Sequence, residues 1–76
     1  MNIVEQAIDR TGGQVKLAAK LTNLTGHPYT QPHVANWKKA GQFPADIAGI
    51  VANYIFNNEI SQYEACPSIK RAVNNG

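Results

Sequence analysis

The sequence predicts an all-α fold, a small domain of four to five helices, from two observations. Apolar residues recur at helical spacing in successive stretches, and the strongest pattern covers residues 44–56. Its apolar positions, at i, i+3, i+4, i+7 and i+8, are Ile47, Ile50, Val51, Tyr54 and Ile55. Glycine and proline separate the stretches, as expected for short connections. With 76 residues and 43% hydrophobic content, the chain can form one domain with a small core.

The first two helices are predicted over residues 3–10 and 14–21. Asn2 is of a residue type that caps a helix start, and the glycine pair after Thr11 can adopt the left-handed conformation that ends a helix. In the second helix an apolar stripe contains the small Ala18, which lets another helix cross closely. The stripe consists of Leu17, Ala18 and Leu21.

The third helix is predicted over Gln31–Ala40, with Thr30 as its N-cap. Val34 and Trp37, at i and i+3, form its core-facing stripe, and we expect Trp37 to anchor the core rather than to stack on a base. Residues 22–29 are predicted to connect the second and third helices, which is a longer connection than a tight turn. Together these segments predict a helix-turn-helix of a long-turn variant.

A fourth helix is predicted from Pro44 to residue 56, and a short helical turn over residues 62–65. Ser61 can cap this turn, with the glutamate three residues later completing a capping box. The pattern over residues 44–56 has a helical and not an alternating period, so no strand is expected there. We therefore assign residues 1–69 to the domain and residues 70–76 to a flexible C-terminal tail.

Positive charge is concentrated in one part of the chain, although the net charge is only +2. Residues 10–45 contain five basic residues and no acidic one. The five are Arg10, Lys16, Lys20, Lys38 and Lys39. This distribution is expected for a protein with a polyanionic partner, and an ordinary solvated face explains it equally well.

Several function classes are disfavoured by composition. The single Cys66 excludes an internal disulfide and a zinc site built from several cysteines. The start of the chain has no basic-then-apolar leader, and no apolar run approaches about 18 residues, so we expect a cytoplasmic protein with no membrane partner. No pairing of a nucleophile with a base is suggested, and the core is too small for a substrate cavity. We expect no enzyme activity, cofactor, metal or small-molecule substrate.

The face of the third helix opposite Val34 and Trp37 carries polar and small side chains. Glutamine and asparagine can make paired hydrogen bonds to adenine in the major groove, and alanine and proline can contact a thymine methyl group. The predicted base-contacting residues are Gln31, Pro32, Ala35 and Asn36, with His33 at the edge of the face.

A second set of residues is predicted to contact the DNA backbone. The first N–H groups of the second helix lack helical acceptors, so a phosphate can accept from them, and lysines add positive charge. The set consists of Gln14, Lys16, Thr30, Lys38 and Lys39.

The order and spacing of these residues resemble a known family. The stretch Gly-Gly-Gln-Val-Lys-Leu-Ala-Ala-Lys-Leu, followed by Tyr-Thr-Gln-Pro-His-Val-Ala-Asn-Trp and a basic-x-Gly-x-x-Pro step, is similar to the lambdoid Cro-type repressors. The similarity is particularly to their prophage relatives, the YdaS-like helix-turn-helix proteins. Residues 63–69 also resemble the family's Pro-Asp-Ile signature, with Ser68 where aspartate is common. The matching positions are Gln14, Leu17, Ala18, Gln31, Val34, Trp37, Pro44 and Ala45.

The resemblance covers about residues 3–69 and implies a transcriptional repressor of phage or prophage type. Such a protein binds double-stranded operator DNA, commonly as a symmetric dimer, with its third helix in the major groove. This chain departs from the compact motif by about six additional residues between the second and third helices. The expected operator is an inverted repeat, because two-fold pairing places two recognition helices on one DNA face.

The residues after the fourth helix are candidates for a dimer interface. They are Phe56, Ile60, Tyr63 and Ile69. The alternative, which holds nearly as well for Ile60, is that they cover the open side of the core. The small area predicts a weak homodimer that is completed on DNA.

Two other functions remain open from the sequence. One is an antitoxin that also binds its own promoter, which a neighbouring toxin gene or a co-purifying toxin would indicate. The other is a helical bundle that binds only proteins, which predicts no salt-sensitive DNA binding.

Overall fold

A computed structural model describes residues 1–69, and the predicted tail at 70–76 lies outside the described residues. The described chain is helical, with no strand, which confirms the all-α prediction. Three helices come first: α1 (Ile3–Thr11), α2 (Gln14–Thr25) and α3 (Gln31–Ala40). A composite fourth segment follows, made of a 3₁₀ turn (Ala45–Ile47), α4 (Ala48–Ile50) and a π-helical stretch (Val51–Ile55). The short α5 (Gln62–Ala65) comes next.

Local capping signals set the start of α1 and the start of α5, as predicted. The side chain of Asn2 accepts from the backbone N–H of Glu5 at 2.8 Å, and the Glu5 carboxylate accepts from the N–H of Asn2 at 2.8 Å. Ser61 and Glu64 form the same reciprocal pair at α5. Gly12 ends α1 with φ 94°, a conformation that glycine adopts without strain.

The second helix is one turn longer than predicted, because it continues past residue 21 to Thr25. Thr22 and Thr25 each donate a hydroxyl hydrogen bond to the carbonyl four residues earlier, so their polar groups are satisfied within the helix. Gly26, with φ 77°, caps the end. The connection to α3 is therefore residues 26–30, and most of the additional length lies in the helix instead of the turn.

The connection is tied back to α2 by a side chain. Thr22 accepts from the backbone N–H of Tyr29 at 2.9 Å. The ring of Tyr29 is half-buried and packs edge-on to Trp37, with ring centroids 5.3 Å apart. Thr25 of α2 likewise accepts from the backbone N–H of His27 at 3.1 Å, so the turn is held to α2 by hydrogen bonds and to α3 by the aromatic contacts of Tyr29.

The core lies where α1, α2, α3 and the fourth segment meet. The predicted stripe of α2 is buried, as is Val34 of α3. Trp37, the predicted core anchor, is half-buried at the core edge, with its ring centroid 5.7 Å from that of Phe43. The remaining buried side chains include Val4, Ala7, Phe43, Ile47, Ala48, Val51, Ala52, Ile55, Ala65 and Cys66.

The fourth segment buries most of the predicted stripe, since Ile47, Val51 and Ile55 are buried, but one member of the stripe is not. Tyr54, which the pattern placed in the apolar stripe, is 58% exposed. The inward face includes Ala48 and Ala52, whose small side chains let the segment approach its neighbours closely. The helix also widens at its end, where the N–H of Phe56 donates to the carbonyl of Val51, five residues earlier. The prediction for Tyr54 is therefore wrong.

The predicted dimer residues divide into two groups. Phe56 is only 1% exposed within a single chain, so its assignment to a dimer interface is wrong. The guanidinium of Arg10 lies 4.7 Å from the centre of its ring, and Arg10 also pairs with Glu59. The other three, Ile60, Tyr63 and Ile69, are half-buried.

Candidate functional site

The outward side of α3 carries four of the five residues predicted to read DNA bases, together with Lys39, which was predicted to contact the DNA backbone. Only Val34 of this helix is fully buried, because α3 lies on the surface of the core. We call the outward set the α3 face. It consists of Gln31, Pro32, Ala35, Asn36 and Lys39, all exposed except the half-buried Ala35.

A concave groove of about 380 Å³ lies along one side of the α3 face. It is formed where the starts of α1 and α2 approach α3. The groove is lined by Asn2, Glu5, Gln14, Gln31, Ala35, Lys38 and Lys39. The structure therefore brings together predicted site residues from two helices, and it adds Asn2 and Glu5, which were not predicted to lie at a site.

Gln14 and Gln31, the first residues of α2 and α3, are joined by a hydrogen bond between their side chains. The Nε2 of Gln31 donates to the Oε1 of Gln14. This contact fixes the orientation of both amides. It leaves the Oε1 of Gln31 as an acceptor and the Nε2 of Gln14 as a donor, and each amide can use these groups toward a ligand.

The start of α2 can donate hydrogen bonds to a phosphate. Its N-cap is Gly13, no side chain caps it, and its first turn has no acidic residue. N–H groups at such a start are available to an anion, which the helix dipole also favours. The side chain of the exposed Lys16 folds over Gly12. A Cβ placed on Gly12 would lie 3.2 Å from the Cδ of Lys16. Gln14 and Lys16 thus both lie at the start of α2, next to these N–H groups.

The other side of the groove is formed by the start of α1, which is hydrogen-bonded to α3. The Nδ2 of Asn2 donates to the backbone carbonyl of Lys38 at 3.0 Å. The same side chain caps α1 through its oxygen, so one residue both starts α1 and holds the last turn of α3. Its capping role was readable from the sequence. Its bond to α3 was not, because it joins positions that are 36 residues apart.

The basic residues divide between two environments. Lys16, Lys20, Lys38 and Lys39 are exposed on α2 and α3. Arg10 instead forms an ion pair with Glu59 and covers the ring of Phe56. Glu5 is an acidic group in the groove, but its carboxylate is engaged with the N–H of Asn2.

An aromatic cluster flanks the other edge of the α3 face. It contains His27, Tyr29, His33, Trp37 and Phe43 in successive ring contacts. Burial, and to a smaller extent the nearby Asp46 carboxylate, raises the pKa of Tyr29 above its ordinary value of 10.0. The cluster links the exposed turn to the core, and His33 is its member on the first turn of α3.

Thr30, a predicted backbone contact, is the exposed N-cap of α3. Its N–H donates to the Nδ1 of His33 at 3.0 Å. The capping role of His33 was not predicted. Its signal in the sequence is the spacing Thr-x-x-His, a cap residue followed three positions later by a side chain with an acceptor atom.

Within the described residues, no helix has the length and apolar content that crossing a membrane requires. The chain matches no protein-family model, and searches of curated proteins and of solved structures found no match.

Proposed function

We propose that this chain is a sequence-specific DNA-binding protein and a transcriptional repressor of the Cro-like type. In this proposal α2, the connection at residues 26–30 and α3 act as a helix-turn-helix. The α3 face enters the major groove, and the starts of α2 and α3 lie against the DNA backbone. The operator is double-stranded DNA containing an inverted repeat.

The observation that carries the proposal is the joined pair Gln14–Gln31 at the edge of the α3 face. Gln31 retains an acceptor and a donor with which it can pair with an adenine edge, and Gln14 retains donors for a phosphate. Because the two side chains hold each other, one residue can read a base while the other fixes the register on the backbone.

The charges around this pair support a polyanionic partner. Lys38 and Lys39 are exposed on α3, and Lys16 and Lys20 are exposed on α2. No carboxylate lies on the α3 face itself. A DNA backbone approaching the groove would meet Lys38 and Lys39, which favours association.

We further propose that two copies pair weakly and complete their dimer on DNA. One helix-turn-helix reads only a few base pairs, so a single copy discriminates poorly against non-specific sites. The half-buried Ile60, Tyr63 and Ile69 are the candidate pairing residues. Their partial exposure leaves apolar surface available, whereas Phe56 is used by the core.

Selection of binding sites from a random DNA pool tests the proposal directly. We expect an inverted repeat to be enriched, and we expect Gln31→Ala and Asn36→Ala to relax the preference at one or two base positions per half-site. Asn53→Ala is the matched control, since Asn53 is exposed on the π-helical stretch and outside the α3 face. Enrichment of no motif by the wild-type protein would contradict the proposed function. An unchanged preference in both α3 variants would contradict the assigned reading residues.

A further inference from the structure

The ring of His33 is held in one orientation at the start of α3. Its Nδ1 lies 3.0 Å from the backbone nitrogen of Thr30 and 3.1 Å from the hydroxyl oxygen of Thr30. The ring stacks on Trp37, with centroids 6.3 Å apart and planes 28° apart. Tyr29 packs edge-on against it at 5.7 Å. A side chain in these contacts has little freedom to rotate, although His33 is exposed to solvent.

These contacts determine which ring nitrogen carries the proton. A backbone N–H can only donate, so the Nδ1 of His33 must accept from Thr30. In a neutral imidazole one nitrogen donates and the other accepts. The proton is therefore on Nε2, at the opposite side of the ring from Thr30. His33 presents one N–H donor to its surroundings, and its only acceptor is already used.

We propose that His33 contacts DNA through its Nε2–H, as a hydrogen-bond donor only. This inference rests on the proposed function and adds the chemistry of the partner atom. The partner must be an acceptor, either a base-edge atom such as N7 or O6 of guanine, or a phosphate oxygen. The amino group of cytosine is excluded, because it needs an acceptor that His33 no longer has.

The Nε2–H donor of His33 can be removed while the hydrogen bond from the Thr30 N–H to Nδ1 is kept. The 76-residue chain is short enough for chemical synthesis, and 4-thiazolylalanine at position 33 keeps a ring nitrogen in the Nδ1 position. It replaces the Nε2–H with sulfur, which donates no proton. The same replacement at His27 is the control, since His27 is an exposed histidine of the turn. The probe is the DNA site selected by the wild-type protein, together with variants of that site.

We expect the replacement at position 33 to leave the melting temperature unchanged and to weaken DNA binding about tenfold, while the replacement at His27 has little effect. If the affinity falls only for sites with certain base pairs, the partner of His33 is a base edge. If it falls equally on all sequences, the partner is a phosphate. Long-range ¹H–¹⁵N NMR of the free protein in mildly alkaline solution should show His33 protonated on Nε2.

Three results would overturn the inference. A proton on Nδ1 would refute it without any DNA measurement. If the replacement of His33 leaves the affinity for DNA unchanged while Lys39→Ala weakens it, the contact between His33 and DNA is refuted. The proposed function would then remain intact. Absence of DNA binding by the wild-type protein would remove both the contact and the proposed function.

Discussion

The amide of Gln31 donates its hydrogen bond to the amide of Gln14, so the first residue of α3 is tied to the first residue of α2. The two residues are 17 positions apart and exposed to different extents, Gln14 being half-buried and Gln31 exposed. In the proposed complex Gln14 would orient Gln31 before DNA arrives, which reduces the entropy lost on binding. Their contributions to binding should then depend on each other.

A double-mutant cycle on this pair should reveal the coupling. Gln14→Ala and Gln31→Ala should each weaken binding to the selected site, and the double variant should lose less than the sum of the two losses. The expected interaction energy is about 0.5–1.5 kcal/mol, since neighbours that share a hydrogen bond couple in this range. Fluorescence anisotropy with labelled DNA measures the affinities of the wild type and the three variants. Additive losses would show that the contact does not matter for binding.

Lys39→Ala should weaken binding about equally on all DNA sequences. If about three lysines per subunit meet phosphates, a dimer neutralises roughly six, and log K should fall with log salt with a slope of about −5. Removal of one lysine per subunit should reduce the magnitude of this slope by about 1 for each phosphate that is no longer neutralised. Gln62→Ala, an exposed and uncharged position on α5, is the control. Affinity that does not change with salt would argue against binding to the DNA backbone.

Trp37→Ala should destabilise the domain by about 3 kcal/mol, at the lower end of the usual range for truncating a buried tryptophan, because Trp37 is half-buried. This is a large share of the total stability of a domain of this size. Tyr54→Ala removes an aromatic ring that is 58% exposed, so it should change the free energy of unfolding by less than about 0.5 kcal/mol. Urea denaturation measures both. Equal effects would contradict the packing of Trp37 against Tyr29 and Phe43.

Alkaline pH should weaken the fold through Tyr29. Its pKa is raised in the folded state by burial and by Asp46, so the folded chain holds the phenol proton more tightly than the unfolded chain. The resulting stabilisation is fully present below the unfolded pKa, about 10, and is lost as the pH rises through the folded pKa. Tyr29→Phe should therefore lose less stability than the wild type above pH 10. Tyr54→Phe, at the exposed tyrosine, should follow the wild type.

Two subunits should bind one operator. Sedimentation is expected to show mainly monomer at micromolar concentration without DNA and a 2:1 complex with it. Tyr63→Ser should weaken assembly on DNA without unfolding the chain, because Tyr63 is half-buried. Leu24→Ser alters an exposed leucine of α2 and serves as the control. One subunit per operator at saturation would refute the dimer.

Features encoded by neighbouring residues were readable from the sequence. Asn2 and Ser61 cap their helices because their side chains reach an N–H three residues later, and Val34 is buried because it lies on the apolar side of a short helix. These interactions span less than one helical turn or follow the helical period. Residue type and spacing are sufficient to predict them.

Other features were decided only by the packing of distant segments. Phe56 is packed into the core, with Arg10 of α1 also lying over its ring, so it is not available for pairing. The groove beside α3 is lined by residues of separate helices, which are joined there by the bonds from Asn2 to Lys38 and from Gln31 to Gln14. Such contacts depend on the relative placement of whole helices, which the pattern within each helix does not specify. The sequence therefore determined which residues face outward on α3, and the tertiary structure decided which of them are held in place by their neighbours.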